Sequence, residues 1–241
     1  MIELFQFRPK FGVPNLSPFC LKLETWLKMA SIDYVVNYVD DPRSAPLGKL
    51  PYIKEGNFQM ADSSCIIDYL CEHHNINLDA HLSDKELASA HCCQVMVEER
   101  LYWTVVYHRW LGIGWPDLKK EVFSVLPPIV RQIVPIMVQN KLKRDMYGHG
   151  LGRHTIEQIN KFASDDIRAL SRLLGDKPYL MGDKVSSVDA TVFAILCELL
   201  HSSLPSPLKF ITEQYPNLVA YHLRMGHCYF PDYYQCSSES E

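Results

Sequence analysis

The sequence predicts a two-part fold, with an α/β domain over residues 1–78 and an all-helical domain over residues 83–230. Short β-branched and aromatic runs alternate with helical patterns only in the first part of the chain, which favours a mixed sheet with helices packed on it. From Ser83 onward the apolar residues recur at the three- and four-residue spacing of amphipathic helices. The remaining residues, 231–241, are expected to form a polar tail.

The α/β domain is predicted as β-α-β followed by β-β-α. Its first helix is the best defined, because Ser17 is a favourable N-cap and Pro18 suits the first helical position. A Glu-Gly-Asn turn at 55–57 joins the last two strands as a hairpin. The predicted elements are strands at 2–7, 34–39, 52–54 and 58–60 and helices at 17–30 and 63–73.

Capping motifs mark the helices of the second domain. Ser83-x-x-Glu86 is a capping box that opens a helix of about thirty residues. The helix that Ser186 opens is apolar on nearly every side, so it is expected to be central and buried. Two more helices are predicted, one over 128–146 with a kink at Pro135 and one from Thr155 to Gly175.

Composition and charge exclude several classes of function. The chain has 24 Lys and Arg residues against 28 Asp and Glu, a net charge of −4 and no basic run, so nucleic acid is not an expected partner. The longest apolar stretch, 125–138, is broken by prolines and is shorter than the ~20 residues of a membrane span. The start of the chain lacks the pattern of a secretory signal, so the eight cysteines are expected to be reduced thiols in the cytoplasm. No spacing of His and Cys is typical of a metal site.

The first candidate site is Ser17-Pro18-Phe19-Cys20, at the start of the first helix. The unpaired N–H groups and the positive dipole end of a helix N-terminus favour an anion, such as a thiolate. The Ser17 hydroxyl can add one hydrogen bond to that anion. The alternative is that Ser17 is only an N-cap, which is a common role for serine at this position.

The second candidate is Lys49-Leu50-Pro51-Tyr52, directly before the third strand. A cis bond before Pro51 would turn the N–H and carbonyl of Leu50 outward, where they can pair with an extended peptide ligand. The alternative is a proline that is simply tolerated at the first position of a strand.

The third candidate is Ala61-Asp62-Ser63, between the hairpin and the next helix. Asp62 or Ser63 caps that helix in the simplest interpretation. The same residues suit an amino-acid zwitterion, with Asp62 for the ammonium and Ser63 with its N–H for the carboxylate.

Two patterns in the helical domain leave their role open. Trp103, Tyr107 and Trp110 form an aromatic stripe that is either core packing or the lining of a pocket. The glycine-rich stretch 148–153 favours a structural role, because alternate glycines permit positive φ or close packing of another element.

The order of these motifs resembles the thioredoxin-like domain of cytosolic glutathione transferases. The segment 182–189, Gly-Asp-Lys-Val-Ser-Ser-Val-Asp, is similar to the capping box that opens the buried core helix of that family, where Asp189 serves folding. The resemblance covers residues 2–225. More narrowly, 16–24 and 148–153 resemble the failed-axon-connections and metaxin-like branch, some members of which are thought to be membrane-associated adaptors.

The resemblance implies a glutathione-transferase fold that binds glutathione and a small electrophile and forms a homodimer. Ser17 would donate a hydrogen bond to the glutathione sulfur. The backbone of Leu50, presented by cis-Pro51, would pair with the cysteinyl part. Asp62 and Ser63 would hold the γ-glutamyl end. The remaining residues that it implies are Lys49 or Arg43 for the glycyl carboxylate and Phe19, Trp103 and Tyr107 for the electrophile pocket.

The main hypothesis is therefore a glutathione transferase in which Ser17 stabilises the attacking thiolate. The alternative from another class is a non-catalytic, metaxin-like adaptor with an exposed apolar surface around 125–138. A third hypothesis is a thiol reductase acting through Cys20. Omega-type relatives have cysteine where Ser17 stands, whereas Cys20 lies one helical turn later and is expected to face the core with Leu23 and Leu27.

Overall fold

The computed structural model describes residues 1–124 and 126–234. Within these residues the chain folds as the sequence predicts, with a mixed α/β part followed by helices. Position 125 and the end of the expected tail, 235–241, lie outside the described residues. The first residues of that tail, Pro231–Tyr234, form a short helix whose Tyr234 side chain is buried.

The sheet contains four strands, β1 (Ile2–Gln6), β2 (Tyr34–Tyr38), β3 (Tyr52–Glu55) and β4 (Phe58–Ala61). Their order is β2-β1-β3-β4, with β1 parallel to β2 and antiparallel to β3. The parallel pair requires a crossover connection, which α1 (Pro18–Met29) provides, and α2 (Ser63–His74) follows β4 directly. This topology confirms the predicted β-α-β followed by β-β-α.

One apolar cluster joins the sheet to α1 and α2. Leu4, Trp26, Ile53 and Ile66 belong to it, and none of these side chains has exposed surface. Burying a side chain of this kind is worth roughly 1.5–3 kcal/mol. Helices α1 and α2 are therefore held firmly against the sheet.

The helical part begins with the long helical stretch that the sequence predicts. It is not one regular α-helix, because a π-helical turn, Val97–Leu101, separates α3 (Asp84–Met96) from α4 (Tyr102–Trp110). The predicted helix of about thirty residues therefore contains a turn at which the hydrogen-bond ladder accommodates an extra residue. The other helices are α5 (Trp115–Phe123), α6 (Pro128–His149), α7 (Ile156–Leu174), α8 (Ser187–Leu196), α9 (Pro207–Glu213), α10 (Pro216–Tyr229) and α11 (Pro231–Tyr234).

α8 is the central helix, as its apolar sequence predicts. All of its residues from Val188 to Leu196 are buried, and the helix packs against α1. At its first turn, Asp189 accepts hydrogen bonds from the Ser186 N–H at 2.8 Å and from the Tyr221 hydroxyl at 2.9 Å. Asp189 therefore fixes the helix that joins the two parts of the molecule.

Candidate functional site

The sheet register brings the three candidate motifs to one edge of the sheet. Phe5 of β1 pairs with Tyr52 of β3, and Tyr52 pairs with Ala61 of β4. The end of β1, the start of β3 and the end of β4 therefore lie side by side. The loop that carries Ser17 leaves the end of β1, the Leu-Pro motif leads into β3, and the Asp-Ser motif follows β4.

Ser17 is the N-cap of α1, as predicted, and the residue is half-buried. Its hydroxyl oxygen accepts a hydrogen bond from the Cys20 N–H at 3.4 Å, and its own N–H donates to Oδ1 of Asn15 at 3.0 Å. The fully buried Asn15 donates in turn to the Phe7 carbonyl at 2.8 Å, which ties the loop to the end of β1. An anion at this point would meet the N-terminus of α1 together with the serine hydroxyl.

The Cys20 thiol faces the core, as expected. It has no exposed surface and packs in a cluster with Leu50 and Tyr52. Burial raises the pKa of this thiol to about 12, although a hydrogen bond from the Ser17 side chain favours the thiolate. A thiol reductase needs an accessible cysteine with a lowered pKa, and Cys20 does not meet that condition.

The Leu50–Pro51 peptide bond is cis, as the resemblance implies. Both residues are buried at the start of β3, whereas Lys49 before them is exposed. Arg43, the other candidate for the glycyl carboxylate, forms an exposed ion pair with Asp41, with 2.7 Å between Nη2 and Oδ2. Because Asp41 already neutralises Arg43, Lys49 is the better candidate.

Asp62 is the residue that caps α2, and its backbone is unusual. Its Oδ1 accepts hydrogen bonds from the N–H groups of Ser64 at 2.9 Å and Cys65 at 3.2 Å. Its φ angle is +76°, a conformation that costs free energy in a residue with a side chain and is often found at ligand-binding sites. Asp62 is exposed and Ser63 is buried, so the carboxylate is accessible at the helix start.

A buried lysine that the sequence analysis did not single out lies directly behind this helix start. Lys22 of α1 is only 3% exposed, and its ammonium donates to Glu98 at 2.7 Å and to the Ser64 hydroxyl at 2.8 Å. Gln94 also donates to the Ser64 hydroxyl, at 3.2 Å. These bonds connect α1, α2 and the helical part. The only signal in the sequence was a lysine within an otherwise apolar stretch of α1.

The aromatic residue of α4 that reaches the Ser17 loop is Tyr102. Its ring meets Phe19 edge-on, with 4.8 Å between the ring centroids, and both residues line a cavity of about 10 Å³, roughly the space of one water molecule. Trp103 and Tyr107 pack in an apolar cluster with Val106 of α4 and with residues of α6 and α7, and Tyr102 also contacts this cluster. Helical spacing alone did not distinguish these two faces of α4.

The glycine-rich stretch has the structural role that its pattern favours. A Cβ atom on Gly152 would lie 2.8 Å from the backbone of Met146 and Tyr147, so this position has no room for a larger residue. Gly150 has a φ angle of +102°, which glycine adopts readily. Arg153 donates to the Tyr147 carbonyl at 3.0 Å and lies over the Tyr147 ring.

Metal ligands and membrane-spanning helices are two further features that the structure bears on. Among residues 1–124 and 126–234, no three His, Cys, Asp or Glu side chains are grouped as metal ligands. None of the helices in the described part of the chain has the length and apolar character of a membrane span.

The fold and the site together define a class, in which a thioredoxin-like domain presents helix starts and a cis-proline strand towards an all-helical domain. Residues 18–114 match the family model of the glutathione S-transferase N-terminal domain, and residues 163–225 match that of the glutathione S-transferase C-terminal domain. The glutathione transferase F7 structure from Populus trichocarpa has the same fold, with a TM-score of 0.64 and 14% identity over 98% of this chain and 100% of that chain.

Curated relatives point to the same family. The isoprene-epoxide–glutathione S-transferase of a Rhodococcus species is 32% identical over 92% of this chain and 96% of the relative. Failed axon connections of Drosophila melanogaster is also 32% identical, over 97% of this chain, which spans 59% of that protein's length. Metaxin-2 of Mus musculus is 26% identical over 88% of this chain and 82% of the relative. The chain belongs to the glutathione S-transferase family, in the branch that includes failed axon connections and the metaxins.

Proposed function

We propose that the protein binds glutathione and adds its thiolate to a small electrophile. The observation that carries this proposal is the register of β1, β3 and β4, which brings Ser17, Leu50 and Asp62 to one edge of the sheet. A hydroxyl donor, a strand start and a helix-capping carboxylate at one edge suit an extended tripeptide with a thiol in its middle residue. Ser17 meets the sulfur, the Leu50 backbone the cysteinyl unit, and Asp62 with Ser63 the γ-glutamyl end.

Stabilisation of the thiolate is the main chemical task of this site. A free thiol has a pKa of ~8.5, so only a few per cent is ionised at neutral pH, and each unit by which the pKa falls corresponds to ~1.4 kcal/mol. The N-terminus of α1 and the Ser17 hydroxyl both favour the anion at this position. Phe19, Tyr102 and Lys49 complete the proposed site, with the two rings beside the electrophile and the ammonium near the glycyl carboxylate.

Small alkyl epoxides are the first electrophiles to test, because the name of the Rhodococcus relative specifies an epoxide. In that reaction the thiolate sulfur bonds to a ring carbon, the carbon–oxygen bond breaks, and the resulting alkoxide takes a proton from water. The helix and hydroxyl that stabilise the thiolate also fix its direction of attack.

Calorimetry of glutathione binding to reduced protein tests this proposal. We expect micromolar to low-millimolar affinity in the wild type and its loss in Asp62→Ala. Thr155→Ala is the matched control, because it also removes an N-cap side chain, at the start of α7, far along the chain from the site. No heat at millimolar glutathione would overturn the proposal.

A non-catalytic adaptor is the second candidate, and one surface favours it. The outward face of α6 exposes Ile129 by 75%, Ile133 by 53%, Ile136 by 59% and Met137 by 63%. Apolar patches of this kind often bind another protein. The adaptor function requires no glutathione binding, and light scattering of wild type and Ile136→Asp tests whether the partner is a second copy of the chain. The homodimer is a further proposal, which derives from the resemblance, and the cytoplasmic location expected from the sequence is a proposal as well.

A further inference from the structure

We propose that Arg109 and Glu198, a buried ion pair of the helical part, position Ser17 and set the charge behind it through the carbonyl oxygen of Leu16. This inference rests on the proposed role of Ser17 in stabilising the glutathione thiolate. It assigns to two residues far from the thioredoxin-like motifs a part in that chemistry.

The peptide group between Leu16 and Ser17 is held at both ends. Its carbonyl oxygen accepts a hydrogen bond from Nη1 of Arg109 at 2.7 Å. Its N–H, which belongs to Ser17, donates to Oδ1 of Asn15 at 3.0 Å. Asn15 is fully buried and Arg109 is only 9% exposed, so neither partner is readily replaced by water. One side chain comes from each part of the molecule, and the orientation of the serine is therefore set across their junction.

The Glu198 carboxylate determines the net charge of the group that it forms with the Arg109 guanidinium. It follows α8 in the π-helical segment Cys197–His201, and its Oε2 accepts from Nη2 of Arg109. Its side chain has no exposed surface, and among the described residues Oε1 has no hydrogen-bond partner. Burial raises the pKa of Glu198 to about 7, whereas Arg109 favours the ionised form. In the described part of the chain, Arg109 donates hydrogen bonds both to this carboxylate and to the backbone of the serine loop.

The titratable groups that face the pair are neutral at pH 7. They are Tyr102 of α4, Cys197 beside Glu198, and Tyr234 of α11, and burial raises the pKa of each. A change of charge at Arg109 or Glu198 is therefore not compensated by its surroundings.

This geometry predicts opposite electrostatic effects from the two residues. Arg109→Gln removes the positive charge next to the Leu16 carbonyl, which raises the pKa of the thiol bound at Ser17. Glu198→Gln leaves that positive charge unpaired, which lowers the pKa of the same thiol. A pair that only held the helices together would reduce activity in both variants without moving the titration in opposite directions.

The test is a pH titration of the thiolate absorbance of glutathione bound to the full chain. We expect a shift of about half a pH unit or more upward in Arg109→Gln and downward in Glu198→Gln, with Arg109→Lys close to wild type. The matched controls are Arg100→Gln and Asp166→Asn. Arg100 also donates to a fully buried carboxylate, that of Asp166 on α7, with 2.8 Å between Nε and Oδ2. Shifts in the same direction, or equal shifts in the control variants, would overturn the proposal.

A second readout does not need glutathione. Hydrogen exchange of the peptide that covers 8–20 should be faster in Arg109→Gln than in Arg100→Gln, because the Leu16–Ser17 peptide loses one of its two partners. Unchanged exchange would overturn the positioning role. Failure of the proposed function is seen separately, as the absence of glutathione binding in the wild type.

Discussion

Lys22 and Glu98 form an ion pair across the junction between the α/β part and the helical part, with 2.7 Å between the ammonium and the carboxylate. The Lys22 side chain is 3% exposed and that of Glu98 is 17% exposed. The same ammonium reaches Ser64 in the first turn of α2, next to the proposed γ-glutamyl contact. Packing of the helical part is therefore linked directly to the position of a proposed ligand-binding helix start.

Replacing Lys22 with methionine should reduce the free energy of unfolding by up to about 3 kcal/mol, because it leaves the largely buried Glu98 carboxylate without its partner. Lys22→Met/Glu98→Leu should recover most of this loss, since no unpaired charge remains. Urea unfolding measures both effects. Lys10→Met, which breaks the more exposed pair between Lys10 and Glu121, is the control and should cost less than about 1 kcal/mol. Equal losses in Lys22→Met and the double variant would contradict the electrostatic explanation.

Cys20 should resist alkylation in the native protein. Its thiol has no exposed surface, and burial raises its pKa to about 12. The thiolate fraction is therefore small at pH 7–8 and grows only as the pH approaches 12. Mass spectrometry after iodoacetamide treatment should find exposed Cys65, Cys92 and Cys228 modified before Cys20. Rapid modification of Cys20 with loss of activity would restore the reductase hypothesis.

The α/β part was predictable because its signals are local. The N-caps, a proline at the start of a helix and alternating strand patterns each act within a few residues, and they place Ser17, Pro51 and Asp62 at the starts of elements. The assignment of these three residues to one binding site came from the family resemblance. The π-helical turn at Val97–Leu101 was missed because it depends on how α3 and α4 pack against other helices. Helices α5, α9, α10 and α11 were also missed, as most of them are short and contribute few periodic positions.

The inner surface of the site was harder to predict than its motifs. Tyr102 and Trp103 are adjacent in the sequence, and only the packing of α4 shows that Tyr102 meets Phe19. Arg109 and Glu198 are 89 residues apart, and no spacing rule joins them. Contacts between distant residues therefore account for most of what the sequence did not reveal.

Gly152→Ala should destabilise the protein by more than about 1 kcal/mol, because the new Cβ would lie 2.8 Å from backbone atoms of Met146 and Tyr147. Gly148→Ala is a matched control in the same stretch, since a Cβ there meets nothing within 4 Å. Its position inside α6 favours alanine over glycine, so this variant should be as stable as wild type or slightly more stable. Thermal unfolding compares the melting temperatures of Gly152→Ala and Gly148→Ala. Equal melting temperatures would argue against a steric role for Gly152.

Ser17→Ala should reduce kcat for the conjugation of glutathione by about 100-fold or more, with the dissociation constant for glutathione little changed. The hydroxyl lowers the pKa of the bound thiol, so its loss reduces the thiolate fraction that can attack, whereas the backbone of Leu50 and the side chain of Asp62 provide most of the contacts that bind glutathione. Loss of the N-cap should also cost about 1 kcal/mol of stability, which Ser17→Thr avoids by keeping the hydroxyl.

Steady-state kinetics gives kcat, and calorimetry gives the dissociation constant for glutathione, for Ser17→Ala, Ser17→Thr and wild type. We expect Ser17→Thr to retain most of the turnover, because its hydroxyl can still cap α1 and donate to the thiolate. Unaltered turnover in Ser17→Ala, with glutathione still bound, would remove Ser17 from the mechanism. The N-terminus of α1 and the charge of Arg109 would then be the groups that stabilise the thiolate.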